Sequence, residues 1–445
     1  MAKNDTKKWL ARIKRHIARV VPDFLLLGYH FIFAVAAMVW YRHPSKELVV
    51  IGVTGTKGKT STASYMHTAL TAAGKTVGLL STAEVRIGRE VHTNKRHMTL
   101  PGRGYVQQQL RKMVTAGCQY AIIETPSEGI RQFRVFGVWY DSLVYTNLSP
   151  EHLVTHKTFE RYRHTKGLLF KQQAQSPQKV LHGKPVKRYI ILNADDGNVE
   201  YFQKIADTPL NEQLVVGFGE KATIPISTEK GSDENAFTLE EDRYVVPLPG
   251  IITVQNAVPA ILLAKRYGGV SPEQLNDAFT STTLPGRLER IEAGQPFQVY
   301  CDYAHEPLSI ESVCEALRQY VSSEDGRLLI VVGAVGASRW RYNATKIGEV
   351  AGQCADVAII TDVDPFFDDP EEIARAVVSG IRKNKNAEWY VELNRRKAIE
   401  KAFALAKKGD VVIVTGKGAE VTMEVNGESI PWDERAIIRE ILQNG

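Results

Sequence analysis

Gly55-Thr56-Lys57-Gly58-Lys59-Thr60-Ser61 follows the apolar run Val49–Val53 and opens a stretch, Thr60–Ala73, with helical patterning. A glycine-rich turn between a strand and a helix aims backbone N–H groups at phosphate oxygens, and the positive end of the helix dipole adds to their pull. Lys59 neutralises phosphate charge, and the hydroxyl of Thr60 is placed to ligate Mg²⁺. The spacing is not the common G-x-x-x-x-G-K-[ST], because Val53 stands where its first glycine would fall. The compact form G-T-x-G-K-T is present instead. The bland alternative is a structural turn; the placement between strand and helix favours phosphate.

Other side chains able to do chemistry lie downstream. Glu124 ends the apolar run "YAIIE", and a carboxylate at the C-terminal end of a strand faces the crevice where nucleotides sit in open α/β sheets. The plain alternative is a helix-capping acid. The segment "TNLSPEHLVTHKTFERYRHTKGLLF", Thr146–Phe170, carries His152 and Lys166. By residue type alone these are a loop histidine and a lysine on a solvated helix face. Asp362-Val363-Asp364-Pro365-Phe366-Phe367-Asp368-Asp369 gathers acids that favour an ammonium, although Asp368 and Asp369 also suit the N-cap of the helix that follows.

These residues need elements to hold them. The 445 residues exceed one ordinary core, so two or three domains are expected. From Leu48 onward, β-branched runs such as "LVVIGV", "SLVYTN" and "RYIILNA" alternate with amphipathic stretches. That alternation implies a mostly parallel sheet covered on both faces. Gly219–Pro247 turns polar and then alternates, as an antiparallel edge or hairpin would. "TTLPGRLERI" (Thr282–Ile291) is expected to link into a last domain that again alternates, from "FQVYCDY" to "DVVIVTG". The expected division is 1–47, a basic arm plus apolar helix; 48–283, the phosphate-loop domain; and 284–445, a Rossmann-like α/β domain.

The net charge of +6 is concentrated at the start: Lys3, Lys7, Lys8, Arg12, Lys14, Arg15 and Arg19 face one acid, Asp5. The rest is close to neutral, which argues against a nucleic-acid-binding face. Cys118, Cys301, Cys314 and Cys354 show no paired spacing, so neither a disulfide framework nor a zinc site is expected and a cytoplasmic setting fits. Phe24–Tyr41 is uncharged and at the lower edge of membrane-crossing length. A single crossing would put the basic arm on the wrong side. Two readings of residues 1–41 stay open: a helix packed on the next domain, and peripheral contact with a membrane surface.

The compact loop and several further stretches resemble the Mur ligase family, most of all its tripeptide-forming branch. The resemblance runs from Leu48 to the C-terminus. "IIETPSEG" is similar to a strand-end motif of that branch, and Thr146–Phe170 matches T-N-L-S-x-D-H-L-x-x-H-x-x-x-E-x-Y-x-x-x-K-x-x-L-F almost throughout. The resemblance implies an enzyme that uses ATP and Mg²⁺ to turn a carboxylate into an acyl phosphate, which an amino acid's amine then attacks. It assigns Mg²⁺ to Thr60, Glu124, His152 and Lys166, the last as a carbamate. Lys59, Lys166 and His152 become the catalytic set. ATP contacts fall to Gly55–Ser61 (Gly55, Thr56, Lys57, Gly58, Lys59, Thr60, Ser61), to Asn256 of "GIITVQNAVPAI", to Arg287 of "LPGRLERI", and to Asp302 and His305 of "DYAHEP". Ser127 and Arg134 would meet the glycopeptide; Gly416 and Glu420 of "TGKGAE", with Asp364, would meet the amino acid.

The sequence also departs from the family. The usual N-terminal domain that binds a uridine nucleotide is not recognisable, which leaves a nucleotide-linked or a lipid-linked glycopeptide acceptor open. Phe366 replaces an arginine that grips the distal carboxylate of diaminopimelate, so the acids around it lean toward a diamino acid such as lysine. Glu128 and Ala419 each replace a histidine. The rival expectations are a folylpolyglutamate- or cyanophycin-type ligase, and an ATP-binding scaffold without turnover.

Overall fold

The computed structural model describes residues 23–94, 98–102, 104–150, 156–228, 235–248, 250–280, 282–322, 325–337, 339–383 and 387–444. Two compact units divide the chain: the first takes it up to Gly231 with Ala236–Val245 and Gln255–Thr280, and the second takes the rest.

The first unit begins with helix α1, Asp23–Trp40, whose uncharged run ends where Arg42 and His43 adopt positive φ and the His43 N–H bonds back to the Met38 carbonyl. Pro44 follows and cannot continue a helix. Strand β1, Val49–Thr54, is buried at every residue, as expected for a strand with neighbours on both edges and layers on both faces. It leads into α2, Lys59–Ala72, then β2 (Val77–Leu80) and the antiparallel edge β3 (Glu84–Ile87) and β4 (Glu90–Thr93). Helix α3 (Tyr105–Thr115), strand β5 (Tyr120–Glu124), the short α4 (Ser127–Arg131), β6 (Ser142–Tyr145) and α5 (Phe159–Gln175) follow. After a two-residue-stranded hairpin, β7–β8 (Val180–Leu181, Lys184–Pro185), come β9 (Arg188–Asn193), α6 (Val199–Ala206) and β10 (Asn211–Gly217).

The sheet ends in β11 (Ile224–Thr228), β12 (Asn235–Leu239) and β13 (Asp242–Val246). Its order is β13-β12-β11-β10-β9-β6-β1-β5-β2-β3-β4. Pairs from β11 through β2 are parallel, and β11 pairs antiparallel with β12, so the polar-then-alternating stretch is the antiparallel edge its pattern suggests. Central β1 lies between β5 and β6. The connection from β1 runs toward β2 and the one from β5 runs back toward β6, so the chain departs in opposite directions at the adjacent C-terminal ends of β1 and β5, the place where such folds bind ligands.

The second unit has a six-stranded sheet in the order β14-β15-β19-β16-β17-β18, parallel except at β14. These strands are Glu289–Arg290, Gln298–Asp302, Val411–Thr415, Leu328–Val332, Val357–Ile360 and Glu388–Val391 in that spatial order. Along β16, Leu328, Ile330 and Val332 enter one core while Leu329 and Val331 enter the other. Period-two alternation thus fills two apolar layers, each covered by helices. Asp369 caps the helix Pro370–Ile381, its carboxylate accepting from the Glu371 N–H, as its position in the acidic run suggested.

Candidate active site

The loop between β1 and α2 is tied down from below by the segment after β6. Thr56 N–H donates to the Asn147 carbonyl at 2.8 Å and Lys57 N–H to Asn147 Oδ1 at 2.9 Å. In return the Thr146 hydroxyl donates to the Lys57 carbonyl at 2.7 Å. Gly58 has φ +79°, and a Cβ there would sit 2.1 Å from Asn256 Oδ1, so only glycine fits the turn. The chain then enters α2, whose first amides have no intrahelical acceptor and point out of the helix end. Lys59 folds back over the loop, its Nζ 2.7 Å from the Thr56 carbonyl.

Register places Glu124, the last residue of β5, opposite Val53 of β1. Its carboxylate is 2 % exposed and accepts from the Thr60 hydroxyl at 3.0 Å, the Thr82 N–H at 2.8 Å and the Thr82 hydroxyl at 3.0 Å. These donors are neutral. A buried carboxylate that takes neutral donors from Thr60 and Thr82 beside a phosphate-type loop fits a divalent cation, and Mg²⁺ commonly takes one or two carboxylates and completes its shell with phosphate oxygens and water. Among the described residues no three carboxylate, imidazole or thiol groups converge on one point. A metal here would therefore lean on Thr60, Glu124 and its phosphate partner. His152 lies outside the described residues.

Lys166 comes up from α5 on the other side of the loop. Its side chain is 1 % exposed, its Nζ donates to the Gly55 carbonyl at 2.7 Å, and it lies 4.7 Å from the Tyr162 ring centroid. It is not the solvated lysine that its residue type alone allowed.

His156 was not singled out from the sequence. Its Nε2 lies 3.0 Å from the Ser127 hydroxyl and its Nδ1 3.5 Å from Thr165, next to Lys166 on α5. Burial first, then the charges of Lys166 and Arg131, push the imidazole below its ordinary pKa. Ser127 is thereby brought within reach of the lysine helix. Arg134 is placed elsewhere: its guanidinium donates to the Leu100 carbonyl at 2.5 Å and to Gln132 at 2.6 Å. Asn256 lines a narrow groove with Tyr145, Thr146, Asn147, Asn193 and Gln255, and it accepts from Thr62 of α2 at 3.3 Å. Asp196, in "LNADD", braces the groove by accepting from the Tyr145 hydroxyl at 2.6 Å and the Leu148 N–H at 2.7 Å.

The second unit gathers its own candidates at the ends of β15 and β19. Asp302 is buried and accepts from the N–H groups of Leu288 and Ala304, both at 2.7 Å; burial pushes its pKa up against the opposing pull of Arg287. Arg287 stacks 4.5 Å over the Tyr303 ring, and the Tyr303 hydroxyl donates to Glu420 at 3.3 Å. His305 Nδ1 is 2.8 Å from the Tyr303 carbonyl, and Gly416 N–H donates to the Asp302 carbonyl at 3.0 Å. Asp364 differs from the expectation of a carboxylate waiting for a substrate cation. Lys417, wholly buried, reaches both of its oxygens at 2.9 Å and Glu420 at 2.5 Å, and the Glu424 N–H adds a further bond to Asp364 at 2.8 Å. The sequence reading took Gly416 and Glu420 from "TGKGAE" and passed over the lysine between them.

Comparison with known proteins supplies the remaining evidence. Residues 53–264 match the Mur ligase middle domain and residues 286–418 match the Mur ligase, glutamate ligase domain; neither match reaches the first 52 residues. A UDP-N-acetylmuramoyl-L-alanyl-D-glutamate--2,6-diaminopimelate ligase from Caldanaerobacter subterraneus subsp. tengcongensis is 33 % identical over 412 residues, covering 91 % of this chain and 80 % of the relative. A UDP-N-acetylmuramyl-tripeptide synthetase from Treponema denticola is 32 % identical over 418 residues, covering 90 % and 77 %. Among solved structures, a UDP-N-acetylmuramoyl-L-alanyl-D-glutamate--2,6-diaminopimelate ligase aligns with TM-score 0.60 at 26 % identity over 89 % of this chain and 79 % of that one. A Mycobacterium tuberculosis folylpolyglutamate synthase complexed with ADP and AMPPCP shares the fold, with TM-score 0.63 at 15 % identity over 93 % and 96 %.

Proposed function

The chain belongs to the Mur ligase family of ATP-dependent amide-bond ligases, and from that premise we propose that it adds an amino acid to a muramoyl-peptide precursor of peptidoglycan. The observation that carries the proposal is the convergence of Thr60, Glu124 and Lys166 on one glycine-rich loop. In this scheme the loop amides and Lys59 hold the β- and γ-phosphates of ATP. The acceptor's carboxylate attacks the γ-phosphorus, ADP leaves, and the acyl phosphate is taken by the amino acid's amine with loss of phosphate. Positioning and charge neutralisation supply most of the rate.

Thr60 and Glu124 would hold Mg²⁺ with His152 and a carbamylated Lys166, and the metal's contribution is to neutralise charge on the phosphates. Asn256 is assigned to the nucleotide's adenine. Ser127 and Arg134 are assigned to the glycopeptide. Arg287, Asp302 and His305 are assigned to the nucleotide, and Gly416, Glu420 and Asp364 to the amino acid. Two carboxylates around one ammonium leave the Asp364–Lys417–Glu420 cluster with one net negative charge, which suits an incoming ammonium and supports a diamino acid such as lysine.

The experiment is ADP release from the purified chain with UDP-muramoyl-dipeptide as acceptor, screened across amino acids. Stimulation by lysine above diaminopimelate is the expected result. Stimulation by folate acceptors instead would move the chain to the folylpolyglutamate type. Absence of turnover with every acceptor tried would favour a silent ATP-binding scaffold, for which the replacements at Glu128, Phe366 and Ala419 are the grounds.

A further inference from the structure

Helix α1 packs on the first unit along one face. Phe31 packs edge-on against Phe133 and Phe136, with ring centroids 5.4 and 4.9 Å apart. Ala37 lies against Gly104 and Met38 against Gly137, so closely that a Cβ at either glycine would stand within 2.9 Å of them. His30 and Ala34 are buried by this packing. The opposite face carries Leu25, Tyr29, Ile32 and Val39, all exposed, with Ile32 at 67 %; Phe33 and Trp40, the latter 81 % exposed, border it where the helix meets Pro101 and Tyr105 across a cavity. Contiguous apolar surface of this kind marks an interaction site.

What covers it follows from charge. No charged side chain interrupts the sequence between Asp23 and Arg42. The helix face itself therefore carries no Asp, Glu, Lys or Arg, unlike the surfaces that charged residues typically rim at a protein interface. Directly before it come seven Lys and Arg against one Asp within the first nineteen residues. Within and just after this stretch, Trp9, Leu10, Ile13, Ile17, Val20 and Val21 recur mostly at three- and four-residue intervals. Cations, an apolar helix face and a Trp-Tyr pair at the helix end are the combination that an anionic lipid interface selects. Among the described residues, no helix is long and apolar enough to cross a membrane.

We propose that the exposed face of α1, with the basic arm before it, docks the protein peripherally on an anionic lipid bilayer. Because α1 is held by aromatic and glycine contacts, docking fixes the orientation of the first unit on that surface. The inference stands on surface chemistry and does not depend on which carboxylate the enzyme activates.

The full chain is sedimented with vesicles of phosphatidylcholine containing about a quarter phosphatidylglycerol, and with phosphatidylcholine alone. Binding to the anionic vesicles is expected, weakened by high salt as surface charges are screened. The double variant Ile32→Glu/Trp40→Glu should lower the partition coefficient by about tenfold or more, each charge entering an apolar interface. Both positions are exposed, so its melting temperature should match wild type; a second variant, Lys7→Glu/Lys8→Glu/Arg12→Glu, leaves the helix itself untouched and should also weaken binding. No binding by the wild type, or binding that survives the double variant, overturns the proposal. A wild-type dimer that the double variant converts to monomer also overturns it, since a second copy would then cover the face.

Discussion

Lys166 Nζ donates to the carbonyl oxygen of Gly55 at 2.7 Å, across 111 residues of sequence, from a side chain that is 1 % exposed. A buried lysine under a phosphate-type loop is costly as a bare ammonium. As a carbamate it would instead present an anion toward the metal side of the site. Lys166→Ala should lose about 100-fold or more in the rate of ADP release, the scale of removing one electrostatic element from a preorganised site. Short carboxylic acids added to the assay should restore part of it by filling the vacated space with an anion. A fully active Ala variant would remove the carbamate from the mechanism. Melting temperatures measured alongside separate loss of fold from loss of chemistry.

Glu124→Gln tests the metal assignment with little change in shape. The amide oxygen keeps an acceptor for both the Thr82 N–H and the Thr60 hydroxyl, which share one carboxylate oxygen, and the Thr82 hydroxyl can accept from the amide NH2, so the local bonds survive. The charge does not. Turnover is expected to fall by about 100- to 1,000-fold, and the Mg²⁺ concentration for half-maximal rate to rise. A variant with wild-type Mg²⁺ dependence would show that the carboxylate only braces Thr60 and Thr82.

Acid should weaken the first unit through His67 of α2. Burial first, and Arg86 beside it, push its pKa from 6.5 down to about 4. The unfolded chain therefore takes the proton more readily between those two values. Stability is complete above pH 6.5 and falls as pH drops through the window, by about 2 kcal/mol at pH 5 from this residue. Denaturant midpoints of wild type and His67→Gln at pH 7 and pH 5 isolate the effect: the pH-dependent loss should be smaller in the variant. Equal losses would mean that other groups carry it.

Legibility in the sequence tracked distance along the chain. The β1–α2 loop, the Asp369 cap and the edge strands after Gly219 are local, written in adjacent residues, and could be read directly. The mostly parallel sheet followed from its β-branched runs, but its strand order depends on pairings between distant segments that periodicity does not encode. His156 stood in plain view within the quoted segment; its contact with Ser127 joins residues 29 apart and was invisible there. Lys417 was missed for the same reason, since Asp364 lies 53 residues away. The uncharged stretch before Tyr41 showed a helix, yet which of its faces packs depended on Phe133, Phe136, Gly104 and Gly137.

Asp364 offers the sharpest test of amino-acid choice, because two roles predict different kinetics. If it serves only as partner to Lys417, Asp364→Asn leaves that ammonium with Glu420 and changes stability alone. If the cluster's residual negative charge holds the side-chain ammonium of the incoming amino acid, the same variant makes the cluster neutral. KM for lysine should then rise about tenfold, the scale of one charge-assisted hydrogen bond, while KM for norleucine, which has the chain length without the charge, should not move. Lys417→Met supplies the control from the other side: it takes the buried ammonium from between the Asp364 and Glu420 carboxylates and is expected to cost about 3 kcal/mol of stability. The double variant Asp364→Asn/Lys417→Met should recover part of that loss without recovering lysine affinity. A lysine-to-norleucine KM ratio unchanged by Asp364→Asn would assign selection of the amino acid to other residues.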